Sequence, residues 1–343
     1  LVMRDSPLVA PATKARVREV IDRLGYQPNA AAAALRSART GTLGYVIVER
    51  RGIVGEETES VADIFGTQLL HAVIKRAQQS SYHILTTFVD SLALVDSGRI
   101  DGALCSWQVS DDVLMQLTTR RVPVVVVGRD AGNIPVNWVK ADEEGGAYEA
   151  VRHLLSLGHR RFGLIDVGAA HTSCIAQERV RGFQRGLTEA GITIEPRYHL
   201  QGDWTFQSGY DLGTALLTRN PRPTALFILS EILSAGALRA VVDLGLRVPD
   251  DVAIATTEDS PIVDYVWPRL TAVHVPMYQV GLHATELLLS RLDNPADAPR
   301  HLVLPTRLEV RESTVPRGVS DPAAHQTGSR ASTAQADGLA RLP

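Results

Sequence analysis

The sequence predicts an α/β fold of the doubly wound parallel kind, built as two sheets, and three observations carry that expectation. From Leu43 onward, apolar runs of strand length alternate with amphipathic helical stretches, the pattern of parallel strands joined by crossover helices. The alternation supplies seven strand and six helix candidates, enough for two sheets rather than one. At 343 residues, 45% hydrophobic and 21% charged, the chain can also bury two cores.

The first element is helical. Residues 13–24 place Val17, Val20, Ile21 and Leu24 at helical spacing behind Ser6-Pro7 and Ala10-Pro11, and Gly25 supplies the stop. Tyr26-Gln27-Pro28 reads as a turn, and Asn29 is a good N-cap for a second helix over residues 30–35. That helix is five alanines and a leucine, with high helix propensity and almost no side chain to offer a core. Buried strands are then expected at residues 43–48, 83–88, 102–105, 123–127, 162–166, 225–228 and 252–256. Amphipathic helices are expected at residues 66–79, 145–157, 176–190, 208–218, 232–244 and 278–292. Residues 49–63, with five acids and two arginines, read as a long polar loop at a strand's carboxyl end, either bordering a ligand or forming accessory surface. Residues 317–343, rich in Ala, Ser, Gly, Thr and Gln, have little to bury and are expected to be disordered.

Charge is uneven. Arg4, Lys14, Arg16, Arg18, Arg23, Arg36 and Arg39 face only Asp5, Glu19 and Asp22 before residue 43, while the whole chain carries -3. A basic head on an acidic body fits a nucleic-acid-binding appendage, and a solvated basic helix face fits the same count. No apolar run approaches the ~20 residues that span a bilayer, and no signal-peptide pattern is seen, so a cytoplasmic protein without a membrane partner is expected. Cys105 and Cys174 lack metal-ligand spacing and read as buried free thiols. No phosphate loop, GxSxG elbow, HExxH or Cys-His pairing is present, so neither an enzyme nor a cofactor or metal site is expected.

Four strings occur in order: LGHRRFGLI from Leu157, ERVRGFQRGLTEAGI from Glu178, ALRAVVDLGLRVPDDVAI from Ala237 and LPTRLEVREST from Leu304. Together with residues 6–44 they resemble the lac repressor (LacI/GalR) family of bacterial transcription regulators, and the resemblance covers the chain to about Arg317. It implies a two-lobed periplasmic-binding-protein-like (type I) core preceded by a helix-turn-helix remnant and hinge helix. The implied limits are 1–42 for headpiece and hinge and 43–316 for the core, before the tail at 317–343. Within the core, one lobe takes residues 43–141 and 275–303, the other 142–274 and 304–316. Leu1-Val2-Met3-Arg4 falls near the end of the family's recognition helix, so DNA binding is expected of the intact protein carrying both headpiece helices. A homodimer on double-stranded operator DNA is the implied assembly.

The resemblance also gives the alanine helix a purpose. Two such helices, one per protomer, enter a minor groove only about 6 Å wide, which small side chains permit, while a leucine wedges between base pairs. This places the wedge at Leu35, close packing at Ala32, an N-cap or phosphate contact at Asn29, and phosphate contacts at Arg36 and Arg39. A plain alanine-rich linker is the other reading.

In the core, the resemblance implies a small polar effector, a sugar or sugar derivative, between the lobes. Arg179 in ERVRGF falls on a position that donates to effector hydroxyls or carboxylates, for which a planar fork of donors is suited. Ser230 and Glu231 in FILSEIL occupy polar contact positions, and Glu258 in ATTEDSP stands where the family carries an aspartate. Trp204 matches an aromatic position that packs on a sugar face or in the core, and Trp107, Glu49 and Arg129 follow strands whose ends border the cleft. Asp142, Glu143 and Glu144 read as a helix N-terminus favoured by the dipole, without a binding role. The competing function is a sugar-binding protein of transport or sensing, which shares the two-lobed fold but needs an export signal and no hinge.

Overall fold

The computed structural model describes residue 2 and residues 7–25, 39–47, 64–88, 98–168 and 173–315. Its first helix, α1 (Pro11–Leu24), starts with proline in the first turn and ends at Gly25 in the left-handed conformation. None of its residues is buried.

The body is two six-stranded sheets. The first contains β1 (Thr42–Ile47), β2 (His83–Phe88), β3 (Gly102–Ser106), β4 (Val124–Val127), β5 (Asn137–Ala141) and β11 (His301–Leu304), in the order β2-β1-β3-β4-β5-β11 with every pairing parallel. The second contains β6 (Phe162–Val167), β7 (His199–Gly202), β8 (Ala225–Ile228), β9 (Ala253–Thr257), β10 (Thr271–His274) and β12 (Arg307–Glu309). Its order, β7-β6-β8-β9-β10-β12, repeats that of the first, and only β12 runs antiparallel. The central strands are buried throughout, as in Val124–Val127, because helices cover both faces of a parallel sheet. The chain crosses between sheets after β5, after β10, and again between β11 and β12, where only Pro305 and Thr306 intervene.

Helices α2 (Ile64–Gln79), α3 (Asp111–Thr119) and α9 (Met277–Asp293) flank the first sheet, with α2 and α9 packed together. The second sheet is flanked by the pair α4 (Glu143–Ser156) and α5 (Cys174–Glu189), and by the pair α6 (Phe206–Leu217) and α7 (Glu231–Asp243). The short α8 (Ile262–Tyr265) packs on α7. Gly182 lets α5 approach α4, since a Cβ there would lie 2.1 Å from the Glu144 carbonyl oxygen.

Where the helices expected in the core are found, they begin one or two residues earlier than periodicity indicates. Asp142, Ser173, Thr205 and Ser230 cap α4, α5, α6 and α7 through their side chains, ahead of the first apolar residue of each stripe. Strands β5, β7, β10, β11 and β12 and helices α3 and α8 were not expected: β7, β11 and β12 are short and partly exposed, and β5 and β10 are short runs that include polar residues, so all carry little periodic signal. Cys105 is buried as expected, with burial pushing its thiol up to about 12, but Cys174 is only partly buried at the start of α5.

The chain enters the body at a fixed point. Asp101 accepts hydrogen bonds from Thr40 N (2.6 Å), Thr40 Oγ1 (3.0 Å) and Gly41 N (2.9 Å). The Arg39 guanidinium reaches the far end of α9, donating to Asp293 Oδ1 at 3.0 Å and to the Leu292 carbonyl at 2.8 Å. Here Arg39 pairs within the chain, and its hydrogen bond to Asp293 raises its pKa, with Tyr82 adding to the effect.

Candidate functional site

Both sheets reverse their winding direction once, between β1 and β3 in the first and between β6 and β8 in the second. Crevices at the carboxyl ends of such strands are where open α/β sheets bind ligands. Two links show that these ends of the two sheets face each other. Lys140 Nζ on β5 meets Glu178 Oε1 on α5 at 2.5 Å, and the Trp107 carbonyl after β3 lies 4.0 Å from Cys174 Sγ.

The second sheet's side of this cleft is organised by Arg179. On α5 it shares a buried stripe with Ala176, Phe183, Gly186 and Leu187, so the helix draws its stem inward and leaves the side chain 2% exposed. Its Nε donates to Glu143 Oε2 at 2.9 Å, and its Nη1 to Glu258 Oε1 at 2.8 Å and the Leu229 carbonyl at 2.9 Å. Four elements converge here: α5 carries Arg179, α4 begins with Glu143, β8 leads into Leu229, and β9 leads into Glu258. Glu258 holds φ 73, a backbone conformation rarely adopted by non-glycine residues and often seen at sites where side-chain direction matters.

Glu231 completes the cluster. It opens α7, is 3% exposed, and has one buried carboxylate oxygen, Oε2, without a hydrogen-bond partner among the described residues. Burial, then the neighbouring Glu258, pushes its carboxyl well above the ordinary range, with its own backbone and Ser260 opposing weakly. Burial likewise raises Glu143, against the pull of Arg179. Burial works against the charge of Arg179, but Glu143 and Glu258 outweigh it and hold the guanidinium above its usual value. The result is a dry cluster in which Glu143 and Glu258 hold one cation and Glu231 lies beside Glu258, an arrangement capable of orienting hydrogen-bond donors. No cluster of His, Cys, Asp and Glu among the described residues is arranged to hold a metal ion.

The structure brings Arg179, Glu258, Ser230 and Glu231 together. The Ser230 hydroxyl also accepts from Leu233 N at 3.3 Å, so capping α7 occupies part of it. Trp107 is half-buried with its ring against Gly128, whose φ of 89 and bare Cα leave room for the indole. Trp204 is half-buried and packs on the main core, which favours the packing reading over a stacking platform. Arg129 is a correction. Its guanidinium donates to Asp111 Oδ1 at 2.7 Å and to the carbonyls of Val109 and Asp130, closing its own loop instead of presenting a second cation to the cleft. Asn29, Ala32, Leu35, Arg36 and Glu49 lie outside the described residues.

Glu143 is the residue that sequence reasoning passed over. A signal existed: Glu143 heads the stripe of Gly146, Ala147, Ala150, Val151 and Leu154, so its carboxylate points inward and requires a buried cation. Asp259 stays structural, accepting from Arg311 Nη2 at 2.6 Å and meeting His274 at 3.2 Å.

Residues 151–314 match a family model described as a periplasmic binding protein-like domain. The chain is 30% identical to the catabolite control protein A of Priestia megaterium over 318 residues, covering 91% of this chain and 93% of that protein. It is 32% identical to the HTH-type transcriptional regulator CelR of Thermobifida fusca over 322 residues, covering 91% and 92%. Among solved structures, a complex of the transcriptional regulator CelR with cellobiose superposes with a TM-score of 0.71 at 30% identity, covering 91% of this chain and 94% of that one. A lac repressor dimer bound to operator and the anti-inducer ONPF superposes with a TM-score of 0.78 at 22% identity over 91% and 93%, a likeness of fold.

Proposed function

Because the chain belongs to the lac repressor (LacI/GalR) family of transcriptional regulators, we propose that it represses or otherwise regulates transcription as a cytoplasmic homodimer on operator DNA, with a small hydroxylated effector between its lobes setting the affinity. It is a regulator and not an enzyme. The observation that carries the effector site is the position of Arg179. A guanidinium is buried at the switch point of the second sheet, joined to Glu258 and opposite the strand ends of the first. The CelR relative is solved with cellobiose, which supports a carbohydrate or carbohydrate-like ligand.

Operator contact is assigned to the basic segment around α1, whose Arg16, Arg18 and Arg23 are exposed, and to the wedge at Leu35. In the intact protein, Leu35→Ala should lower operator affinity and bending while leaving effector binding unchanged; equal bending by both proteins would reduce the alanine helix to a linker.

The effector site is tested by a thermal-shift screen of sugars, sugar derivatives and nucleosides, because a ligand that binds only the folded state raises its apparent stability. Compounds that stabilise the wild type should lose that effect in Glu258→Gln and Arg179→Lys. Stabilisation retained in both variants would move the effector site elsewhere.

A further inference from the structure

We infer that the effector of this cleft carries a protonated amine beside its hydroxyls, as an amino sugar does, and that Glu231 and Glu258 receive the ammonium group. The inference rests on the reading of the cleft as the effector site and names the chemical class of its ligand.

The first ground is the imbalance of fixed charge. Glu143 and Glu258 hold a single guanidinium, Arg179, whose Nε and Nη1 are already taken by them and by the Leu229 carbonyl, and Glu231 stands beside Glu258. A bidentate grip on an incoming carboxylate or phosphate needs two parallel donors, and only Nη2 makes no hydrogen bond among the described residues. An anionic ligand would have to displace Glu258 from Arg179 and then sit against the like charge of Glu143 and Glu258. The nearby Lys140 brings no relief, since Glu178 neutralises it at 2.5 Å.

The second ground is independent of the count. Glu231 Oε2 is buried without a donor, in a residue 3% exposed. A buried carboxylate oxygen in that state costs free energy unless a proton or a cation satisfies it. The side chains beside Glu231 are Glu258 after β9 and the hydroxyl of Ser260, and Arg179 is engaged by Glu143 and Glu258, so no cation among the described residues is directed at that oxygen. In the empty site a proton fills the role, because burial and Glu258 raise the carboxyl's proton affinity. A ligand ammonium donates up to three hydrogen bonds and brings the missing positive charge, so it replaces that proton. Neutral hydroxyls supply donors without the charge, and sugar phosphates or acid sugars supply hydroxyl donors with a charge of the wrong sign.

The test uses glucosamine, galactosamine and mannosamine, each beside its neutral parent sugar and the parent's 6-phosphate. Binding is measured by thermal shift and calorimetry on the full chain and on Glu231→Gln and Glu258→Gln, which keep side-chain shape. At least one amino sugar should bind at least about tenfold tighter than its parent and lose about tenfold or more in Glu231→Gln, while the parent changes by less than about twofold. Calorimetry near neutral pH in two buffers of different ionisation enthalpy should show proton release on binding the amine. Tighter binding of a neutral sugar or a 6-phosphate, or no binding by any amino sugar, overturns the inference. The two readings separate cleanly: a neutral or phosphorylated sugar that binds the wild type and not Glu258→Gln keeps the cleft as the effector site. A compound that binds both variants as it binds the wild type removes the cleft as well.

Discussion

Arg179 is held by its carboxylates as firmly as it holds them, and that reciprocity ties the proposed effector contact to the stability of the fold. Arg179→Met fills the volume but leaves Glu143, 4% exposed, as a buried charge without its cation. The expected cost is about 3–5 kcal/mol by urea unfolding. Adding Glu143→Gln should restore most of it; a single variant as stable as wild type would show that the pair is not coupled to folding. Glu231 gives a pH signature. Its folded carboxyl lies well above its ordinary 4.5, so the folded chain binds more protons than the unfolded one above that pH. Its contribution is present below the unfolded value and is lost as pH rises through the folded one. The stability of wild type relative to Glu231→Gln should therefore fall as pH rises above the ordinary carboxyl value of 4.5, a difference read from denaturant curves at each pH. A constant difference would mean that Glu231 titrates normally. Arg179 and Glu258 were singled out by the resemblance of ERVRGF and ATTEDSP to the family's motifs, not by a periodic signal of their own. Glu143 was harder to see, since it stands in an Asp-Glu-Glu run where only one side chain turns inward, and that choice is made by the packing of α4 on α5.

At the scale of elements, the site depends on how closely α4 and α5 approach. Glu143 and Arg179 sit on these two helices, and Gly182 sets their separation. Gly182→Ala would place a methyl 2.1 Å from the Glu144 carbonyl oxygen, so the helices must part. A loss of about 1–3 kcal/mol is expected, together with weaker binding of any effector found by thermal shift. Unchanged stability would mean that the pair relaxes without disturbing the cluster. The alternation of buried strands and amphipathic helices was readable because parallel strands covered on both faces become continuous apolar runs, as in Val124–Val127. Of the strands that were not readable, β7, β11 and β12 lie at sheet edges, while β5 and β10 lie inside their sheets but are short and carry polar residues. β7 has no fully buried residue, and β12 is three residues long, held by β10 rather than by its own pattern. Arg39 belongs to the same class, because its partner Asp293 is distant in sequence and no local signal connects them.

For the whole molecule, three crossings between two sheets of identical strand order provide the geometry in which lobes move about a shared boundary. α9 starts just after the second crossing and ends at Arg39, so one helix spans from the lobe boundary to the chain that leads toward α1. Tyr265, 82% exposed, and Trp267, 60% exposed, are large apolar side chains for open solvent, and a dimer that covers them is the expectation to test. Tyr265→Asp combined with Trp267→Asp should convert a dimer to monomer in sedimentation velocity; an unchanged dimer would place the interface elsewhere.

The most direct measurement is the affinity of the intact protein for a site selected from random double-stranded DNA, taken by fluorescence anisotropy with and without a small molecule that stabilises the core. In the wild type that molecule should change operator affinity by about 5- to 150-fold, the usual span of allosteric coupling. In Glu258→Gln, ligand-free affinity should equal that of the wild type and the response should vanish. A full response in Glu258→Gln, or none in the wild type, would contradict control of DNA binding through the Arg179 cleft.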